Sequence, residues 1–190
     1  LVNTIPLWVG LFTPLISKDR ISAATISSII LSVIGAAIIG FGDFRSGGQA
    51  LWGDLLAVCG AICAAVYLLC GRNLRRKLSL LSYIAICYGS AAVILWLVVL
   101  FLNLPITGYS TQTVAAFWAM ALISQLIGHS SYNWSLKWFS TSLVAVSLLG
   151  EPIGSTLLAY IILDEGLTWM KFIGGLFILS AIYIAASGEK

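Results

Sequence analysis

One carboxylate, Glu151, stands near the middle of the apolar stretch STSLVAVSLLGEPIGSTLLAYII at residues 141–163. A charged side chain at the centre of a bilayer costs about 2.5–3.5 kcal/mol on insertion scales, so it normally faces a watery or protein-lined cavity and marks a solute or proton path. Pro152 follows it directly. Proline has no N–H to donate and loosens the helix there, so this spacing predicts a helix break that turns carbonyl groups toward a central site. Pro6 predicts a similar break near the start of the chain. A second polar set lies in AFWAMALISQLIGHSSYNWSLKW, where Gln125, His129 and Asn133 recur at i, i+4 and i+8 and share one helix face. At ~1.5 Å per residue, Glu151 is roughly 15 Å from Thr141, half the ~30 Å hydrocarbon core. Gln125 is expected at the same depth, with His129 a turn away, giving a ladder of hydrogen-bonding groups for a polar solute or a proton. Trp118, Tyr67 and Tyr88 are candidate walls of the same midplane cavity. The competing structural reading is that His129 and Asn133 bond neighbouring helices together.

The elements that position these groups must be spanning helices. The chain of 190 residues is 60% hydrophobic and only 9% charged, with mean hydropathy +1.03, against roughly 25% charged residues in soluble domains. It divides into seven runs near 1–16, 23–42, 51–71, 79–102, 113–136, 141–163 and 167–187, with charges gathered at the breaks. Barrel strands need only about 9–11 residues and alternate in period two, which these runs do not. The fold expected is therefore an all-α polytopic transmembrane bundle. If Lys190 is cytoplasmic and each run crosses once, Lys18, Arg20, Arg72, Arg75, Arg76, Lys77, Lys137 and Lys190 fall inside, and only Arg45 and Lys171 outside. That is the sign retention of positive loops demands. Arg72, Arg75, Arg76 and Lys77 are read as a topology anchor at lipid head groups rather than a nucleic-acid patch.

Sliding the sequence on itself by 146 residues places Pro6 on Pro152, Asp19 on Glu165, Ile21 on Leu167, Ser22 on Thr168, Gly42 on Gly188 and Asp43 on Glu189. Five crossings separate the two copies, an odd number, so they point in opposite directions through the membrane. Inverted repeats of this kind place a solute near the midplane where the halves meet. Small residues add a packing pattern, with Gly150 and Gly154 flanking Glu151 and expected to bring another helix against the acid. Asp54 reads as a helix-terminal charge, and Asp164 and Glu165 as solvated loop acids.

The stretch LLGEPIGSTLLAYIILDEGLTWMKFIGGLFILSAIYIAAS at 148–187 resembles the closing helix pair of EamA-type proteins of the drug/metabolite transporter superfamily, and GDLLAVCGAICAAVYLLCGRNLRRK at 53–77 is similar to the helix that opens their second repeat. The resemblance implies ten helices in two inverted five-helix halves, cytoplasmic termini, and export of amino acids or other small metabolites across a plasma membrane. On that plan residues 1–44 are the last two helices of the first repeat and 50–190 the whole second repeat. The sequence opens at Leu1 and reads as a piece of a larger array. Expected partners are the lipid bilayer, a small-molecule solute, and the remaining first-half helices or a second copy.

No cofactor is implied, and Cys59, Cys63, Cys70 and Cys87 lack the His or acid that a tetrahedral metal site needs. Two other functions compete with a carrier. One is a non-transporting partner subunit. The other is an intramembrane hydrolase using His129 with Ser130 or Ser131, although adjacent residues on a helix point about 100° apart.

Overall fold

The computed structural model describes residues 2–16, 21–40 and 48–188, with side chains from residue 52 onward in the last span. Lys18, Asp19, Arg20, Gly42, Asp43, Arg45, Glu189 and Lys190, which entered the charge and repeat arguments, lie outside the described residues. All regular structure among the described residues is helical. After a 3-10 turn at Val2–Thr4 come α1 (Ile5–Ile16), α2 (Ala23–Gly40), α3 (Gly48–Arg75), α4 (Leu80–Phe101) and α5 (Thr111–Ala119). α5 runs into a π-helix at Met120–His129 and then α6 (Ser130–Ser135), followed by α7 (Thr141–Leu148), α8 (Glu151–Leu163) and α9 (Trp169–Ser187). Six segments are long and apolar enough to cross a bilayer, namely Ala23–Gly40, Trp52–Arg75, Leu80–Phe101, Thr111–Ser135, Thr141–Leu163 and Trp169–Ser187. The first of the seven expected runs, Val2–Ile16, is a shorter apolar helix.

The helix starts follow from side-chain chemistry. Ser22, Ser79, Ser110, Ser140 and Thr168 each accept a hydrogen bond from the backbone N–H three residues on, satisfying a donor that the first helical turn leaves without an internal partner. Along the helices the pattern is inside-out relative to a soluble protein. Ser28 and Ser32 are buried, with their hydroxyls on the carbonyls of Thr25 and Ile29, while large apolar side chains such as Ile26, Ile30 and Leu176 point outward. In lipid, burying Leu or Ile against another helix gains little, whereas small interfacial residues allow the close backbone approach on which association depends.

The chain forms two compact units, unit 1 from Leu1–Cys70 with Phe139–Lys190 and unit 2 from Gly71–Trp138. Helices from both ends of the sequence join in unit 1. Its principal contact is α2 against α9. A Cβ added to Gly35 would stand 2.7 Å from the Gly174 carbonyl oxygen, and one added to Gly174 would stand 2.6 Å from that of Gly35. Gly174 also meets Ile39, and Gly188 meets Ala24, so α2 and α9 run antiparallel. Ile29, Val146, Ala181 and Ala185 form one buried cluster there, and Ala36, Leu149 and Ile178 another.

The 146-residue shift carries the start of α1, Ile5, onto the start of α8, Glu151, and the start of α2, Ala23, onto the start of α9, Trp169. The cap bond from Thr25 N to Ser22 Oγ becomes that from Lys171 N to Thr168 Oγ1. Buried Ser28, Ile29, Ser32 and Gly35 fall on buried Gly174, Gly175, Ile178 and Ala181. Two helices equivalent in sequence thus bury the same face and pack head to tail.

Candidate functional site

In unit 1 the span 141–163 consists of two helices, α7 and α8. α7 ends in a tightened turn, with Leu149 N donating to Val146 O and Gly150 N to Ser147 O. α8 then starts afresh at Glu151, with Pro152 in its first turn. Because Pro152 has no N–H, the Leu148 carbonyl has no helical donor four residues on. Glu151 thus sits in the first turn of α8.

Glu151 is exposed, and the expected close packing around it is absent among the described residues. Gly154 has open space where a Cβ would stand, and Gly150 meets the Ser147 carbonyl oxygen of its own turn, with Ile182 4.0 Å away. Gly150 and Gly154 are therefore not the helix-packing pair their spacing suggested. They remain one helical turn apart, Gly154 N donating to Gly150 O at 3.0 Å, but the close approach is made by Gly35 and Gly174 instead. Pro6 likewise departs from expectation. It lies buried in the first turn of α1, where proline's missing N–H has no internal partner to lose, so it breaks nothing.

Unit 2 contains a buried polar network. Arg75, at the end of α3, is only 2% exposed and Asn133 of α6 is fully buried. The guanidinium donates through Nε to the Asn133 carbonyl oxygen at 3.0 Å and through Nη1 to that of Leu78 at 2.5 Å. Asn133 Nδ2 donates to Tyr88 Oη at 3.1 Å, and Tyr88 Oη and Ser130 Oγ are 3.1 Å apart. Since Tyr88 Oη accepts from the amide, its own hydrogen is available to Ser130. The rings of His129 and Tyr88 are 6.4 Å apart. Gly71 makes room for Tyr83 and Leu136, because a Cβ there would stand 2.7 Å from Tyr83 Oη and 3.1 Å from Leu136 Cδ1.

Arg75 corrects the reading of the basic cluster. Arg76 and Lys77 are exposed, as head-group anchors should be, and Arg72 is half-buried, but Arg75 points inward and ties α3, the 76–79 turn and α6 together. The signal was in the sequence. Leu68, Gly71 and Arg75 recur at helical spacing and all three are buried, whereas a count of positive charges treats all four basic residues alike.

Of the expected site residues, the structure brings Tyr88, His129 and Asn133 together in unit 2, and adds Ser130 and Arg75. Gln125 and Trp118 are also in unit 2 but exposed, Trp118 by 63%. Gln125 lies in the π-helix, so the uniform α-helical stripe is corrected. Bonds of the i→i+5 type widen the turns from Met120 to His129, a feature frequent at functional sites. Glu151 and half-buried Tyr67 belong to unit 1. The two hydroxyls considered as hydrolase nucleophiles are engaged elsewhere, Ser130 with Tyr88 and Ser131 with the Ile127 carbonyl oxygen.

Comparison with known proteins converges on one family. The model of the EamA-like transporter family matches residues 51–187. A protein of Clostridium kluyveri named "Uncharacterized transporter" is 28% identical, with all of this chain aligned to 61% of its length, and one of Archaeoglobus fulgidus with the same name is 22% identical over 66% of its length. The chain thus spans about three fifths to two thirds of these curated relatives. A solved crystal structure superposes on 98% of the chain with a TM-score of 0.81 at 18% identity, and the chain covers 64% of it. An all-helical polytopic bundle of apolar spans, with this match, makes the chain an integral membrane protein, and it belongs to the EamA-like transporter family.

Proposed function

We propose that the chain is the core of a carrier that exports a small organic metabolite, such as an amino acid, by alternating access of two inverted modules around Glu151. The observation that carries this reading is a carboxylate at a helix break half-way along a spanning segment, beside a carbonyl that proline has released from helical bonding. Such broken helices hold solutes and coupling ions in carriers because backbone groups become available at membrane depth. The antiparallel packing of α2 on α9, with matched starts and matched buried faces, supports assigning 1–44 and 50–190 to inverted repeats. Tyr88, His129, Asn133, Gln125 and Trp118 of unit 2 and Tyr67 of unit 1 are the further residues we assign to solute binding. The excess of basic residues at one set of breaks supports a cytoplasmic C-terminus in a plasma membrane.

Proteoliposomes loaded with labelled amino acids provide the test. The Glu151→Gln chain should insert normally yet lose flux by about ten- to hundredfold, the loss of one charge-assisted hydrogen bond of ~1.5–3 kcal/mol, and the solute should emerge chemically unchanged. Undiminished flux in that variant would remove Glu151 from the mechanism.

A further inference from the structure

α8 and α9 diverge on either side of their Asp164–Thr168 connection, leaving a cavity of about 520 Å³ within unit 1, within the ~300–1,000 Å³ range of small-ligand sites. Its walls are apolar, with Leu157 on one side and Phe172, Leu176 and Leu179 on the other. The end nearest the connection is polar. Lys171 lines the cavity there, and its Nζ lies 3.7 Å from Glu165 Oε2, with the two side chains 27% and 54% exposed. Asp164, also exposed, ends α8 in the left-handed conformation. Trp169 projects at the rim, as interfacial tryptophans do.

An apolar trough leading from a charged rim into a spanning segment fits an amphiphile, and the charges select its head group. Among the described residues, Lys171 is the one charged residue lining the cavity, and the connection beside it carries two exposed carboxylates, Asp164 and Glu165, so the charge at this end is net negative and a purely anionic head would meet more repulsion than attraction. A zwitterion matches both signs, and a primary amine gives the carboxylates N–H donors that a quaternary amine lacks. The Lys171–Glu165 pair is exposed enough to be worth little by itself, so its members are free to take these new partners. We propose that the trough holds one acyl chain of an ethanolamine phospholipid, with its phosphate on Lys171 and its amine on Glu165 and Asp164. Glu151 is not among the residues lining the lipid site, and the proposal does not depend on the transport reading. The repeat supplies a control, since Thr25 occupies the place of Lys171 in the first module and likewise donates its backbone N–H to the capping hydroxyl.

Native mass spectrometry of the delipidated chain, titrated with ethanolamine, glycerol and choline phospholipids of identical acyl chains, tests this directly. The ethanolamine lipid should bind tightest. Lys171→Thr should weaken it by about two- to fivefold, the worth of one exposed ion pair, and Leu176→Trp, which fills the trough, should abolish the preference. Equal or tighter binding of the glycerol lipid, ethanolamine binding retained in Leu176→Trp, or a dimer of the chain that this lipid does not compete with would each overturn the proposal.

Discussion

Arg75 shows how one side chain changes role with the face it occupies. Its charge is held between two carbonyl oxygens of different segments, which needs the planar guanidinium fork and not merely a positive charge. Arg75→Lys should therefore destabilise the chain by about 1–3 kcal/mol, seen as a lowered midpoint of thermal unfolding in detergent, while Arg76→Lys at an exposed site should leave it unchanged. Equal effects would mean that Arg75 acts only as a surface charge. Glu151 stands out in the sequence because an acid among apolar neighbours is conspicuous on composition alone. Arg75 was hidden by company, since three basic neighbours explain its presence without reference to its direction.

At the scale of elements, the break before Glu151 and the five Ser/Thr caps follow from local chemistry, as proline removes a donor and a hydroxyl supplies an acceptor wherever they stand. The π-helix at 120–129 has no comparable local cause in the sequence, and Gln125 was accordingly placed on a regular stripe. Glycine packing was half legible. Spacing marks every small-residue pair, but only tertiary contact distinguishes Gly174, pressed on the Gly35 backbone, from Gly60 and Gly154 in open space. Gly174→Ala is expected to cost about 1–3 kcal/mol, because the atom it would meet is backbone and cannot rotate away. Gly60→Ala should be neutral or slightly stabilising, since alanine is the better helix former. Thermal unfolding of the two variants decides whether α2 and α9 touch at these glycines.

For the whole molecule, a faint repeat of a few matched residues corresponds to coincident helix starts, a shared cap bond and a shared buried face on antiparallel helices. The sequence revealed that relation because its markers, proline and the capping hydroxyls, are tied to backbone geometry rather than to tertiary context. The division into compact units was not legible, as it depends on which distant helices meet. The account turns on Glu151 facing a solute path at mid-depth. A single cysteine at position 151, with Cys59, Cys63, Cys70 and Cys87 replaced by alanine, can be challenged in liposomes with a membrane-impermeant thiol reagent. Labelling by the impermeant reagent is the expected result. A cysteine that reacts only with a lipid-soluble reagent would contradict the account.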